Sequence, residues 1–245
     1  MVALRELAEK LDPELVVATG DLAHRGRRAE LERAAALLRG LERPLLAVPG
    51  NHDIPYTVPG RFTRPWEEWR RVFGEIEPVY RSDDLVVVGL VSVKPWRQQG
   101  GALEAEQLGH VDTLLREAPT GALRVVALHH HLAAPPWRAR RKRPLRRRDS
   151  VLQSLAAAGA ELVVSGHVHQ AGVAARREFE VLEGSTGHGM VLATVPGFGR
   201  PRPHRKGEAL GVNAYAAGPE SLTVTTYTWN GSNFVDVAER AFRRG

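Results

Sequence analysis

Glu161–His169 reads ELVVSGHVH, a short apolar run of strand type that stops at a glycine and two histidines one residue apart. The same design recurs three times upstream. Glu14–Asp21 is ELVVATGD, Pro44–Asp53 is PLLAVPGNHD, and Leu123–His131 is LRVVALHHH. Strands that end this way in one α/β sheet deliver their last side chains to a common edge, where such folds build their sites. Oxygen and imidazole donors gathered there, without thiols, suit borderline divalent metals such as Mn, Fe, Co or Zn.

Between these strands the pattern is helical. Val2–Leu11 precedes the first. A helix from about Arg27 to Arg39 places Leu31, Ala34, Ala35 and Leu38 on one face, at the 3.6-residue period, and Gly40 ends it. Ile54–Gly60, with two prolines and a glycine, reads as loop, and Trp66–Phe73 as a short helix. Leu85–Val91 is a fully apolar strand. Leu103–Glu117 and Ser150–Ala158 are helices, the first closed by Pro119. Beyond Gln170 turn glycines and alternating runs such as Leu222–Tyr227 indicate antiparallel strands. Alternating strands and helices followed by strands alone argue an α/β sandwich with a second, mixed or antiparallel sheet.

Composition bounds the rest. The 245 residues suffice for one large domain, with 1–170 as the ligand-bearing α/β part and 171–245 as a β-rich part. The absence of cysteine excludes disulfides, Fe–S clusters and thiolate zinc sites. No apolar run approaches the roughly 18 residues of a membrane span, and no secretory signal precedes the first helix, so the expected location is cytoplasmic. The net charge of +6 is carried mainly by arginine. It would favour phosphate-bearing substrates or nucleic acid, and the arginine-rich, lysine-poor composition that a GC-rich genome produces accounts for it equally well.

Taken together, the four motifs resemble the calcineurin-like metallophosphoesterases, whose pattern is D-x-H, GD, GNH(D/E), a histidine after a strand, and GHxH. Order and strand context match from Gly20 to His169. The tail, with Gly207–Tyr215 (GEALGVNAY) and Trp229-Asn230-Gly231, extends the likeness to the bacterial branch that includes cyclic-nucleotide phosphodiesterases. The resemblance implies a four-layer αββα sandwich of two mixed sheets flanked by helices, and a pair of divalent metals. It makes Asp21 the carboxylate bridging them. Asn51, His129 and His167 would complete one metal, and His169 would bind the other. His52 would act as general acid toward the leaving oxygen, and Asn51 and His52 would contact substrate. A metal-bound hydroxide would then attack phosphorus in line, without a covalent enzyme intermediate.

Two departures matter. The family's D-x-H strand should precede the Val2–Leu11 helix, and the sequence as it stands begins at that helix. One metal therefore has a full set of side chains and the other only Asp21 and His169, fewer than a catalytic metal usually takes. The expectation is that about 20–40 codons upstream encode an apolar run ending in D-x-H, since a β-α-β unit takes about 30 residues. Secondly, His24 stands where related phosphatases often carry an aspartate that orients the catalytic histidine. His24 either contacts substrate or is a solvated loop residue, and Arg25 either binds phosphate or lies on the surface.

Asp53 is expected to support its turn. Strand alternation lets only His131 share a direction with His129, which leaves His130 behind the metal ligands. His110, His188 and His204 read as structural or exposed. The basic run Trp137–Arg148 (WRARRKRPLRRR) reads as a solvated loop or substrate-side lid rather than a nucleic-acid contact. The leading functional reading is a metal-dependent phosphodiesterase acting on a small phosphorylated molecule. The rivals are a nuclease, whose binding would weaken steeply with salt, and a non-catalytic binding or regulatory protein.

Overall fold

The structure is a computed structural model that describes residues 2–97, 99–133, 142–179, 189–199 and 209–244. His188, His204 and residues 137–141 of the basic run lie outside these residues. The motif strands are β1 (Val16–Ala18), β2 (Leu45–Ala47), β5 (Leu123–Leu128) and β6 (Leu162–Ser165). β5 and β6 are central in a six-stranded mixed sheet of order β3-β4-β5-β6-β8-β7, with β3 at Val79–Arg81, β4 at Leu85–Leu90, β7 at Gly172–Ala175 and β8 at Val191–Thr194. β1 and β2 form a parallel pair. β9 (Gly211–Ala217), β10 (Ser221–Trp229) and β11 (Phe234–Arg243) form an antiparallel three-stranded sheet.

Period-two alternation explains how these pieces stack. In β4, β5 and β6 both faces are apolar, as buried parallel strands require. Val86, Val88, Leu90, Val126, Leu128 and Val163 face one side and join a core with Val111 and Leu115 of α5 (Ala105–Arg116) and Leu152 and Leu155 of α6 (Arg148–Ala157). Val87, Val125, Ala127, Leu162 and Val164 face the other side and meet Leu46 of β2 and Leu222 and Val224 of β10. A third cluster packs α2 (Arg28–Arg39), through Leu31 and Ala35, and α4 (Glu67–Phe73), through Trp69, against Ala18 and Ala47. α1 (Val2–Leu11) lays Leu4 and Ala8 over Val16, Val212 and Phe234. The order helices, large sheet, small sheets, helices is the expected αββα sandwich, its second sheet in two hydrogen-bonded pieces.

Two local findings add to the sequence reading. The segment read as loop to Gly60 ends in a helical turn, α3 (Gly60–Thr63), held by Arg61. The buried Arg61 guanidinium donates to the carbonyls of Pro55, Pro95 and Arg97 and fastens two loops together. In the described part of the basic run Arg143 and the arginines at 146, 147 and 148 are exposed, as expected of a solvated loop, while Lys142 and Leu145 turn inward. Leu145 is in the core, its N–H donates to His131 O at 3.0 Å, and Arg146 N–H donates to Gly101 O at 2.9 Å. Near the chain's end Arg244 reaches across the layers. Its Nε donates to Glu161 Oε1 at 2.7 Å, and Nη1 and Nη2 reach the carbonyls of Gly218, Gly121 and Ala122.

Candidate metal centre

The four motif strands end beside one another, and the turns that follow them aim the polar side chains. Gly20, at φ +85°, and Asp21, at φ +59°, swing the chain off β1. Gly50 approaches so closely that a Cβ there would stand 2.2 Å from Asp21 N and 2.4 Å from Asp21 Oδ1. His167 (φ +65°) and His169 (φ +58°) also adopt the left-handed conformation, which costs non-glycine residues energy and is concentrated at functional sites.

His129 is the hub. Its Nδ1–H donates to the carbonyl of Thr19 at 2.8 Å, and a carbonyl can only accept, so Nε2 is left with its lone pair facing the site. Around Nε2 lie Asn51 Oδ1 at 3.2 Å, His167 Nδ1 at 3.1 Å and Asp21 Oδ1 at 3.4 Å. A metal with bonds of about 2.0–2.2 Å spaces neighbouring ligand atoms about 2.8–3.6 Å apart, octahedral to tetrahedral. The three edges about Nε2 fall in that range. On the other side of Asp21, Oδ2 stands 4.0 Å from His169 Nε2. Among the described residues that second position has these two side chains, and its edge is longer than one shared ion would set.

Burial sets the charges. It would raise the Asp21 carboxyl, but His129, a hydrogen bond from His169 and the neighbouring His52 hold it well below the usual carboxylate range. Burial pushes His129, His130 and His167 down, and His131 down to about 4, with Lys142 adding positive charge nearby. These imidazoles are neutral and so competent to bind metal. Asp53 is buried and bonded to the main chain. Its Oδ2 accepts from Gly50 N–H and its Oδ1 from Ala23 N–H, both at 2.7 Å, tying the GD and GNHD turns together. Burial and the nearby Asp21 charge push its carboxyl up to about 8.

His52 lies at the rim. Its backbone N–H donates to Asp21 Oδ1 at 3.0 Å, and its Nδ1 donates to the His24 carbonyl at 3.0 Å, leaving Nε2 outward. The His24 ring stacks on it at 5.8 Å, and Tyr56 lies on the ring at 5.7 Å with its hydroxyl 3.3 Å from Nδ1. So His24 orients His52 through its main chain, a role its side-chain chemistry could not announce. Thr19, Tyr56 and Lys142 were not legible as site residues. Thr19 acts through a carbonyl, and Lys142, buried beside the imidazoles, is hidden in a charge run. Only the placement of Tyr56, four residues after His52, gave a signal. His110 is exposed.

An αββα sandwich with a carboxylate, an amide and imidazoles at its strand ends defines a metallophosphoesterase-type fold. The chain belongs to the calcineurin-like phosphoesterase family, whose sequence profile matches residues 1–171. A Synechococcus protein described as a probable cyclic nucleotide phosphodiesterase is 30% identical over 169 residues, 67% of this chain and 61% of that one. The chain thus spans about three fifths of that relative's length. Among solved structures, a dimetal phosphatase from Danio rerio superposes with a TM-score of 0.64 at 15% identity, covering 100% of this chain and 89% of that one. GAP50, described as the anchor in the inner membrane complex of Plasmodium, gives 0.56 at 10% identity over 100% and 82% of the two chains. These structural likenesses concern the fold, which by itself does not fix activity. Among the described residues no helix is long and apolar enough to cross a membrane.

Proposed function

We propose that this phosphoesterase is a phosphodiesterase acting on a small phosphorylated molecule. Asp21, Asn51, His129 and His167 would hold one divalent ion of the Mn, Fe, Co or Zn type, with Asp21 and His169 facing a second position. The observation that carries this reading is the set of three donor atoms spaced 3.1–3.4 Å about His129 Nε2, with the His129 tautomer fixed by Thr19. When bound, such ions supply Lewis acidity and lower the pKa of water toward neutrality. The chain's own residues do the rest. Asp21 stays ionised and offers one oxygen to each position. Asn51 and His52 border the substrate, and His52, held by the His24 carbonyl, presents Nε2 to give a proton to the departing alkoxide. Tyr56 and His24 keep that ring from rotating.

The two side chains at the second position favour one alternative, a binding protein of reduced activity. The assay is hydrolysis of bis-p-nitrophenyl phosphate with added Mn²⁺ or Zn²⁺, beside elemental analysis of bound metal. Asp21→Ala should lose both metal and turnover. His52→Ala should keep the metal and slow turnover by about 10²–10⁴-fold, the usual worth of a general acid. Metal binding without turnover in the parent protein would favour the binding protein, and normal turnover in His52→Ala would remove its proposed role.

A further inference from the structure

Behind the metal-facing atoms is a second set of imidazole nitrogens that this function does not use. His130 and His167 are each 1% exposed, and the Nε2 atom of each is buried without a hydrogen-bond partner among the described residues. Their ring centroids are 4.7 Å apart at an interplanar angle of 46°. One nitrogen from each of His129, His130 and His167 can be chosen so that all three lie within 4.8 Å of one another. Unmet buried polar atoms are rare and call for an explanation, and these two lie on adjacent rings.

The tautomers make the pairing chemically specific. His167 turns Nδ1 toward His129 Nε2 at 3.1 Å, the metal-facing side. With that lone pair committed to an ion, the ring's proton is on Nε2, the buried atom. His130 is fixed from its other side by Ser92, itself fully buried. Ser92 Oγ accepts the His130 backbone N–H at 3.1 Å and lies 2.9 Å from His130 Nδ1. The Ser92 hydroxyl can donate or accept; in the tautomer where it accepts from His130 Nδ1–H, His130 Nε2 is an acceptor. Room for the ring is reserved by Gly101, where a Cβ would come within 2.4 Å of His130 Nδ1. His131 differs. Its ring is nearly parallel to His167 at 5.8 Å, a packing contact in which in-plane nitrogens do not meet.

We infer that His130 is a positioning residue for the metal ligand His167. Its Nε2 accepts the His167 Nε2 proton across one water, since no direct hydrogen bond joins the two atoms, and Ser92 Oγ, accepting from Nδ1–H, would hold the tautomer that allows it. This rests on His167 being a ligand, as proposed above, and completes for it what Thr19 does for His129. A ligand histidine held by its outer nitrogen keeps its orientation and gains basicity, and loss of such a partner typically weakens metal binding about 10–100-fold.

The test measures metal affinity, not turnover. Zn²⁺ dissociation constants are determined by chelator competition for the parent protein and for His130→Phe, His130→Gln and Ser92→Ala. His130→Phe should weaken binding about 10–100-fold. His130→Gln, whose amide oxygen reaches about where Nε2 stands, should restore most of it. Ser92→Ala should weaken binding about fivefold, the worth of one hydrogen bond, and it decides the matter if His130→Phe fails to fold by near-ultraviolet circular dichroism. Affinity within twofold of the parent in both His130→Phe and Ser92→Ala, or no recovery in His130→Gln, overturns the inference. The visible spectrum of the Co²⁺-loaded protein should keep its shape in His130→Gln; a changed shape would mean that His130 itself ligates, which also overturns it. An inactive parent that still binds metal would sink the proposed phosphodiesterase and leave this inference standing. Asp21→Ala that still binds Zn²⁺ as tightly as the parent would remove its premise.

Discussion

Lowering the pH of the chelator-treated protein from 7.5 to 5.5 should destabilise it by about 2–3 kcal/mol. The unfolded chain carries histidines of pKa near 6.5, so each takes up most of a proton over this interval. In the folded state burial holds His129, His130, His131 and His167 below their usual value, His131 at about 4. A depressed imidazole contributes stability that is present above pH 6.5 and lost as pH falls toward its folded value. Each therefore costs up to about 1.4 kcal/mol between pH 7.5 and 5.5. His130, His131 and His167 together account for about 4 kcal/mol, and His129 for as much as 1.4 more. Asp53 acts in the opposite sense. Its carboxyl, pushed up to about 8 by burial and by Asp21, contributes stability that is present at low pH and lost as pH rises through 8. It returns about 2.5 kcal/mol over the same interval. Urea unfolding followed by tryptophan fluorescence should show the midpoint falling by about 1 M for a slope near 2–3 kcal/mol/M. A midpoint unchanged or higher at pH 5.5 would mean that the imidazoles are not buried in neutral form, and the reading of the cluster would fail.

Zn²⁺ at about 100 times its dissociation constant should stabilise the protein by about 2.7 kcal/mol, as for any ligand that binds only the native state; an unchanged thermal midpoint would contradict a preformed site. Gly50→Ala should abolish metal binding, since its Cβ would overlap Asp21 N, Asp21 Oδ1 and His129 Cε1 at 2.2, 2.4 and 2.9 Å; wild-type metal content by elemental analysis would refute this. Arg244→Leu should cost about 3–5 kcal/mol in urea unfolding, because it strands the nearly buried Glu161 carboxylate, and a loss below about 1 kcal/mol would show that Glu161 finds another partner.

The layers and the convergence of Asp21, Asn51, His129 and His167 were legible for one physical reason. Parallel strands buried on both faces write continuous apolar runs, and the polar residue that breaks each run is the one delivered to the sheet edge. ELVVATGD and ELVVSGHVH therefore state both the strand and its cargo. What stayed hidden works through main-chain atoms or through distant side chains. The Thr19 and His24 carbonyls leave no residue signature. Arg61 and Arg244 look like any other arginine in an arginine-rich chain until their carbonyl partners are known. Alternation placed His130 opposite His129, on the Leu128 side of the sheet, and it could not reveal that Ser92 would fix that ring 2.9 Å away.

The back-to-back turns at Gly20 and Gly50 restrict how this sequence can change. A Cβ on Gly20 would stand 2.4 Å from Gly50 N and 2.7 Å from Gly50 Cα, while a Cβ on Gly50 would strike Asp21 N. The two positions compete for the same sliver of space. Whatever separation of the turns a first substitution forces is already present when the second arrives. The two losses should therefore not add: the double alanine variant should cost less than the sum of the singles, a coupling expected between residues in contact. Substitution at either turn alone meets the full barrier, so drift at one glycine is closed off unless the other has already moved.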